Sequence, residues 1–124
     1  MIVLDASAFL AYLFREPGGE QVGPLLAEAY MTSLNFSEVI GRFVRDGFSD
    51  REVSAPLAQS LIILPFSLQH AILAARLIPQ TQPQGLSLAD RACLALASEM
   101  RLPVWTADKA WLHLQLGLDI RSIR

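Results

Sequence analysis

An α/β domain with a mostly parallel central sheet and helices on both faces is the fold class that this sequence predicts. Two observations carry it. Short apolar runs alternate with stretches of helical periodicity, joined by brief connections, and such alternation favours parallel strands linked by helical crossovers. In addition, four carboxylates (Asp5, Glu38, Asp90 and Asp108) fall where a strand hands over to a helix or just inside that helix. In an open α/β sheet those positions form one rim, and ligands bind there.

The elements follow in order. Residues 1–4 make a buried strand with β-branched Ile2 and Val3. Ser7 is placed to cap a helix over 8–14, and Arg15-Glu16-Pro17-Gly18-Gly19 reads as a turn. An amphipathic helix is expected over 21–30, with Val22, Leu25, Leu26 and Ala29 on one side, then a second strand over 31–34. Asn35 is expected to cap a helix through Arg45 that buries Phe36, Val39, Ile40, Phe43 and Val44, and Gly47 ends it. Ser49-Asp50-Arg51-Glu52 has the spacing of a capping box.

Residues 61–66 form either a third strand or the end of that helix. Ser67 opens another helix; residues 79–85, with Pro79, Pro83 and Gly85, read as a loop; Ser87 caps a helix over 88–101. A strand over 102–106, a short helix over 108–114 and a terminal edge strand over 119–123 complete the chain. At 124 residues and without repeat or linker, the expectation is one domain spanning 1–124.

Composition narrows the function. Hydrophobic residues make up 52% against 18% charged, and the mean hydropathy is +0.37. That is apolar for so small a protein, and it is explained equally by a well-filled core or by apolar surface covered by a partner chain. No apolar run reaches the ~18–20 residues that span a bilayer, and Asp5 interrupts any signal-peptide core. The single Cys93 cannot form an internal disulfide and sits in a helical pattern as a small core residue, which makes a reduced, cytoplasmic setting the default. A net charge of -2 excludes a generally basic nucleic-acid binder. Yet nine of the ten basic residues are Arg, the better fork for phosphate, with Lys109 the exception.

The four acids carry the chemistry. Asn35-x-x-Glu38 and Ser87-x-x-Asp90 both have capping-box spacing, as does Ser49-x-x-Glu52, so capping alone accounts for Glu38 and Asp90 as well as chemistry does. Asp5 is harder to explain as a cap, because Ser7 fills that role better. An acid among Ala6, Ser7 and Ala8 costs stability unless something pairs with it. Asp108 follows strand residues, with Thr106 placed to donate to its carboxylate or to a bound water, and a helix cap is the alternative role for this acid. Together, four acids on one rim repel one another unless a divalent cation lies between them. Such an ion is held by one or two carboxylates while others order its waters, which suits displacement at phosphorus. His70 and His113 are isolated on helices, Cys93 has no nearby His, and no phosphate-binding glycine loop is present.

Five ordered motifs then give a resemblance over the whole length. Asp5-Ala6-Ser7-Ala8, Glu16-Pro17-Gly18-Gly19-Glu20, Asn35-Phe36-Ser37-Glu38-Val39, Gly85-Leu86-Ser87-Leu88-Ala89-Asp90-Arg91 and Thr106-Ala107-Asp108 make the chain similar to PIN-domain ribonucleases of the VapC type, the toxins of type II toxin–antitoxin pairs. The resemblance implies a three-layer α/β/α fold and an Mg²⁺- or Mn²⁺-dependent endoribonuclease. Asp5, Glu38, Asp90 and Asp108 match the family's acidic quartet. Asp5 and Asp90 would be the first metal ligands, Asp108 close behind, and Glu38 would hold or activate water. Ser7, Asn35 and Thr106 match the polar positions that order the acids. An RNA substrate, a cognate antitoxin and a homodimer are implied as partners. Arg42, Arg45 and Arg91 are candidate phosphate contacts because they neighbour Glu38 or Asp90.

Two other classes compete. A phospho-acceptor receiver domain would need an acceptor Asp at a central strand end, whereas Asp50 lies in a helix-opening box and Lys109 follows Asp108. A catalytically silent PIN fold, kept to bind RNA or an antitoxin, is the second, and the intact quartet argues against it.

Overall fold

The computed structural model describes all 124 residues. Five strands form one sheet in the order β3-β2-β1-β4-β5: β1 Ile2–Leu4, β2 Ala29–Thr32, β3 Ile62–Leu64, β4 Val104–Thr106 and β5 Ile120–Ser122. Every neighbouring pair is parallel. From β1 the chain first builds outward to β3, then returns to the other side of β1 for β4 and β5. The switch point therefore lies between β1 and β4, where the strand ends open a crevice.

The helices are α1 Ala6–Leu13, α2 Ser33–Arg45, α3 Asp50–Ala58, α4 Leu68–Arg76, α5 Ile78–Thr81 and α6 Leu88–Met100. Side-chain alternation along the strands divides the interior into two layers. Ile2, Leu4, Ala29 and Met31 pack with Phe9, Val22 and Val39 on one face, while Val3 and Val104 pack with Cys93, Leu94, Leu96 and Trp111 on the other. Both faces of β1 are covered, so all of its residues are buried, as a central parallel strand requires. The expected α/β/α architecture with its parallel sheet is thus observed, and Cys93 is a fully buried core residue.

Several local expectations are corrected. Residues 21–30 are not an α-helix: tight 3₁₀ turns occupy Gly19–Gln21 and Gly23–Glu28, and Ala29 and Tyr30 already belong to β2. Pro24 removes an N–H that a continuous helix would need, and Gly23 lies against the Tyr12 ring, where a side chain would not fit. The second strand ends at Thr32 rather than at 34, so Thr32, not Asn35, caps α2, accepting from the Asn35 amide at 3.0 Å. Ser7 does not cap α1; Asp5 holds the N-cap position without a side-chain cap bond.

Of residues 61–66 only Ile62–Leu64 forms a strand, and the expected loop over 79–85 is instead largely taken up by the end of α5 and a 3₁₀ turn over Gln82–Gln84. Residues 109–113 are 3₁₀ rather than α-helical. Gly18 has φ +87° and its Cα abuts the Ile123 carbonyl, which locks the turn after α1 against the chain terminus. Leu68, Ile72, Leu88, Leu112 and Phe48 remain exposed, and no helix is long and apolar enough to cross a membrane.

Candidate active site

Parallel strands all deliver their C-terminal ends, and the helix N-termini that follow, to one rim. Asp5 leaves β1 there and is 3% exposed. Its amide donates to the Trp105 carbonyl at 3.0 Å, which extends the β1–β4 pairing to the crevice itself. Its Oδ2 accepts two hydroxyls, from Ser7 at 2.5 Å and Thr106 at 2.9 Å. The Ser7 hydroxyl in turn accepts the Ala107 amide, and the Thr106 hydroxyl accepts the Asp108 amide, each at 3.0 Å. Ser7 and Thr106 therefore fix one carboxylate oxygen across the switch point and leave Oδ1 without a protein donor.

Glu38 and Asp90 approach from α2 and α6. With Thr32 as cap, Glu38 sits well past the first turn of α2, so the capping-box reading no longer applies to it. Its Oε1 accepts from the Asn35 amide nitrogen at 3.2 Å. That nitrogen also donates to the Ala89 carbonyl at 3.0 Å, while the Asn35 side-chain oxygen accepts the Thr32 hydroxyl at 2.6 Å. One fully buried Asn thus ties the end of β2, the acid of α2 and the first turn of α6 together. Thr32 and the Ala89 carbonyl are members of this relay that motif reading missed; a Thr three residues before Asn35 was the available signal.

Asp90 is a cap as well. Its amide donates to the Ser87 hydroxyl at 3.2 Å, and its Oδ2 accepts the Ser87 amide at 2.9 Å, leaving Oδ1 uncommitted. By contrast, the Ser49 hydroxyl accepts from Arg51, and Glu52 is solvated.

The three carboxylates are close enough for the charges of Glu38 and Asp90 to act on Asp5, and that of Asp90 on Glu38. Burial pushes Asp5 up to about 6; the negative charges of Asp90 and Glu38 add to this, against the pull of the Ser7 and Thr106 hydroxyls. Glu38 is also raised, first by burial and then by Asp90, with the Asn35 hydrogen bond opposing. Burial and the same three acids hold the Cys93 thiol well above its ordinary range, so it is an inert core group beneath them. No Lys, Arg or His lies within ion-pair distance of any of the three.

Asp108 stands further out. It is exposed and its Oδ1 caps the 3₁₀ turn through the Ala110 amide at 3.0 Å, so its link to Asp5 runs through the Thr106 hydroxyl. No three His, Cys, Asp or Glu side chains converge into a ready-made cation cage. The donor set nonetheless suits a hard divalent ion: free carboxylate oxygens, no competing cation, and a charge surplus that burial makes costly.

Of the remaining candidates, Arg42 is engaged with Asp46 at 3.2 Å and lies 4.3 Å over the Phe14 ring. Arg45 is exposed in the last turn of α2. Arg91 donates through Nη1 to the Leu86 carbonyl at 3.0 Å. His70 is not isolated: Nδ1 accepts the Ser67 amide and Nε2 meets Glu99 at 2.9 Å, a structural link between α4 and α6. His113 is exposed.

Known folds agree with this architecture. A toxin–antitoxin complex from Klebsiella pneumoniae superposes with TM-score 0.78 at 15% identity, covering 100% of this chain and 98% of the other. DNA-bound VapBC from Salmonella typhimurium gives 0.73 at 16% over 100% of both chains. The Sarcin-Ricin loop cleaving toxin VapC20 of Mycobacterium tuberculosis gives 0.72 at 14%, covering 98% of this chain and 99% of that one. No curated protein matches the chain by sequence. The family model described as PIN domain matches residues 2–115, and the chain is therefore a member of the PIN-domain family.

Proposed function

We propose that this protein is a divalent-metal-dependent endoribonuclease and the toxin of a type II toxin–antitoxin pair. The observation that carries the reading is the trio Asp5, Glu38 and Asp90 at one rim: Asp5 is buried, the charges of Glu38 and Asp90 act on it, and none of the three has a basic partner. A structural acid cluster would be expected to include an Arg or Lys, since an unpaired buried charge costs several kcal/mol.

In this reading Asp5 Oδ1 and Asp90 Oδ1, the oxygens without protein donors, would hold Mg²⁺ or Mn²⁺, with Asp108 at the exposed edge of the same rim. An ion held there would supply Lewis acidity toward a phosphoryl group and make water a better nucleophile. Ser7 and Thr106 orient Asp5 by bonding only Oδ2 and favour its ionised form against the effect of burial. Glu38, made more basic by burial and Asp90, accepts the proton of the attacking water. Asn35 holds that carboxylate against α6.

The toxin assignment is supported by the PIN-family match and by neighbours that are toxin–antitoxin complexes. An antitoxin and a second copy of the chain are the proposed occupants of the exposed apolar residues on α4 and α6, and a cytoplasmic setting goes with them.

The test uses purified protein, structured RNA and Mn²⁺, with and without EDTA, beside Asp5→Asn. Cleavage by the parent in Mn²⁺ alone is expected. Equal cleavage by Asp5→Asn, or in EDTA, overturns the metal site. No cleavage by antitoxin-free parent selects the silent binding module instead.

A further inference from the structure

We propose that Thr32 is a positioning residue of the site: its hydroxyl fixes which way the Asn35 amide faces and so aims Glu38. This rests on the nuclease reading above and adds to it how the water-activating acid is held. Thr32 is 1% exposed and Asn35 0%, so only protein groups can partner their polar atoms.

Every polar atom of the Asn35 side chain is used. Nδ2 donates to Glu38 Oε1 and to the Ala89 carbonyl, and Oδ1 accepts from Thr32. The Thr32 hydroxyl has a single hydrogen to give. Because the Asn35 backbone amide donates to Thr32 Oγ1 at 3.0 Å, that hydrogen points away from it and onto Asn35 Oδ1 at 2.6 Å. Turned end for end, the amide would set its oxygen against the Ala89 carbonyl and an ionised Glu38, neither of which donates. The bonds thus run one way, from the α2 backbone through Thr32 and Asn35 to Glu38. Thr32 itself is fixed by the sheet, since it closes β2 in register with Leu64 of β3.

Glu38 depends on this chain of bonds more than the neighbouring acids do. Its exposed carboxylate accepts from Asn35 alone, whereas Asp5 accepts two hydroxyls and Asp90 a backbone amide. A long acidic side chain in water keeps one direction only if its holder is itself fixed. Ala89 holds Asn35 from α6, and Thr32 holds it from the sheet. Without the hydroxyl, Asn35 Oδ1 is buried without a donor and the amide is tied to α6 only. Thr32 also caps α2, so stability alone does not separate the two roles.

Asn35 is the only asparagine in the chain, so isotope-labelled asparagine gives one side-chain NH₂ pair by NMR. Both hydrogens of that pair should resist exchange with solvent in the parent. Thr32→Val keeps the shape and removes the hydroxyl, and it should speed this exchange about tenfold. It should also lower kcat for RNA cleavage in Mn²⁺ about tenfold, part of what a placed base contributes, with KM within about twofold. Thr32→Ser, which keeps the hydroxyl, should restore both. Ser49→Ala, which removes a cap acceptor from α3, should lower the urea midpoint as Thr32→Val does while leaving the NH₂ pair and kcat unchanged. In a Glu38→Ala background, Thr32→Val should cost no further kcat, because the two act in series.

Parent-like kcat in Thr32→Val, an equal kcat loss with and without the Glu38 carboxylate, or no rescue by Thr32→Ser overturns the positioning role and leaves the nuclease standing. If Thr32→Val does not fold, the parent decides: an Asn35 pair that exchanges as fast as an exposed amide overturns the role. A parent that cleaves no RNA in Mn²⁺ overturns the nuclease and the positioning role together.

Discussion

The twelve acids of this chain fall into regions that obey different rules. Away from the strand ends, acids are matched: Asp46 with Arg42, Glu99 with His70, Asp119 with Arg121 and Glu16 with Arg124, at 2.8–3.2 Å. Glu20, Glu28, Asp50 and Glu52 are simply solvated. At the rim, Asp5 is buried, Asp90 is half-buried, Glu38 and Asp108 are exposed, and none of the four has a basic partner. Exposed ion pairs contribute at most about 1 kcal/mol, so the chain neutralises charge where little is gained and withholds it where burial makes charge costly. That inversion is what the proposed cation site requires, and each prediction below tries to break it.

The largest effect separates capping from chemistry at a single atom. Asp90→Asn preserves an oxygen for the Ser87 amide and removes only charge. RNA cleavage should fall at least ~100-fold, the scale of a lost catalytic group, with the thermal midpoint unchanged or higher because repulsion on Asp5 is relieved. Glu99→Gln, in the matched region, should leave cleavage within about twofold. Parent-like cleavage by Asp90→Asn would reduce Asp90 to a helix cap.

Next in size is the pH dependence of stability in EDTA. Asp5 is raised from 3.8 to about 6 in the folded protein, so the native state holds its proton where the unfolded chain has released it. The sign follows: this contribution is full below about 4 and is lost as pH rises toward 6. The difference of about 2 units is worth about 3 kcal/mol. Urea midpoints should thus fall between pH 4 and 6, and Asp5→Asn should flatten that slope. Saturating Mn²⁺ should restore stability at pH 7 in the parent but not in the variant. A parent curve that rises through this window would contradict the placement of Asp5.

Asn35 tests how the two helices are held in register. Asn35→Leu keeps the branched outline and leaves the Ala89 carbonyl without its donor and the Thr32 hydroxyl without its acceptor, at about 2 kcal/mol. Denaturant titration should show that loss, and cleavage should drop further than stability explains. Asn35→Asp, which retains the acceptor for Thr32 but cannot donate to Glu38, should lose cleavage as well. Activity retained in both would leave Asn35 a core filler.

What the sequence disclosed and what it hid follow from range. Strand-helix alternation is a local signal, so the parallel α/β/α fold and the rim acids were legible in it. Local pattern marks Asn35 only as a cap, and the family resemblance marks it as one of the polar positions that order the acids. Its actual work joins residues 54 positions apart through the Ala89 carbonyl, and no local pattern encodes that bond. The same applies to Ser7, whose hydroxyl serves Asp5 and the Ala107 amide across the β1–β4 crevice instead of its own helix. Residues 21–30 show the opposite failure: periodicity suggested a helix where Pro24 and the crowded Gly23 dictate 3₁₀ turns.

The smallest effect uses the two boxes of equal spacing. Ser49→Ala and Ser87→Ala each remove one cap acceptor, from Arg51 and Asp90 respectively, and each should cost ~1 kcal/mol by denaturant titration. Neither should change cleavage by more than about twofold, because Asp90 is oriented by the backbone amide of residue 87, which alanine retains. Ser87→Pro deletes that amide donor while proline remains tolerable before a helix, so it alone of the three should disturb Asp90 and lower Mn²⁺ affinity. If Ser87→Ala lowers Mn²⁺ affinity as much as Ser87→Pro, the hydroxyl rather than the amide positions the acid.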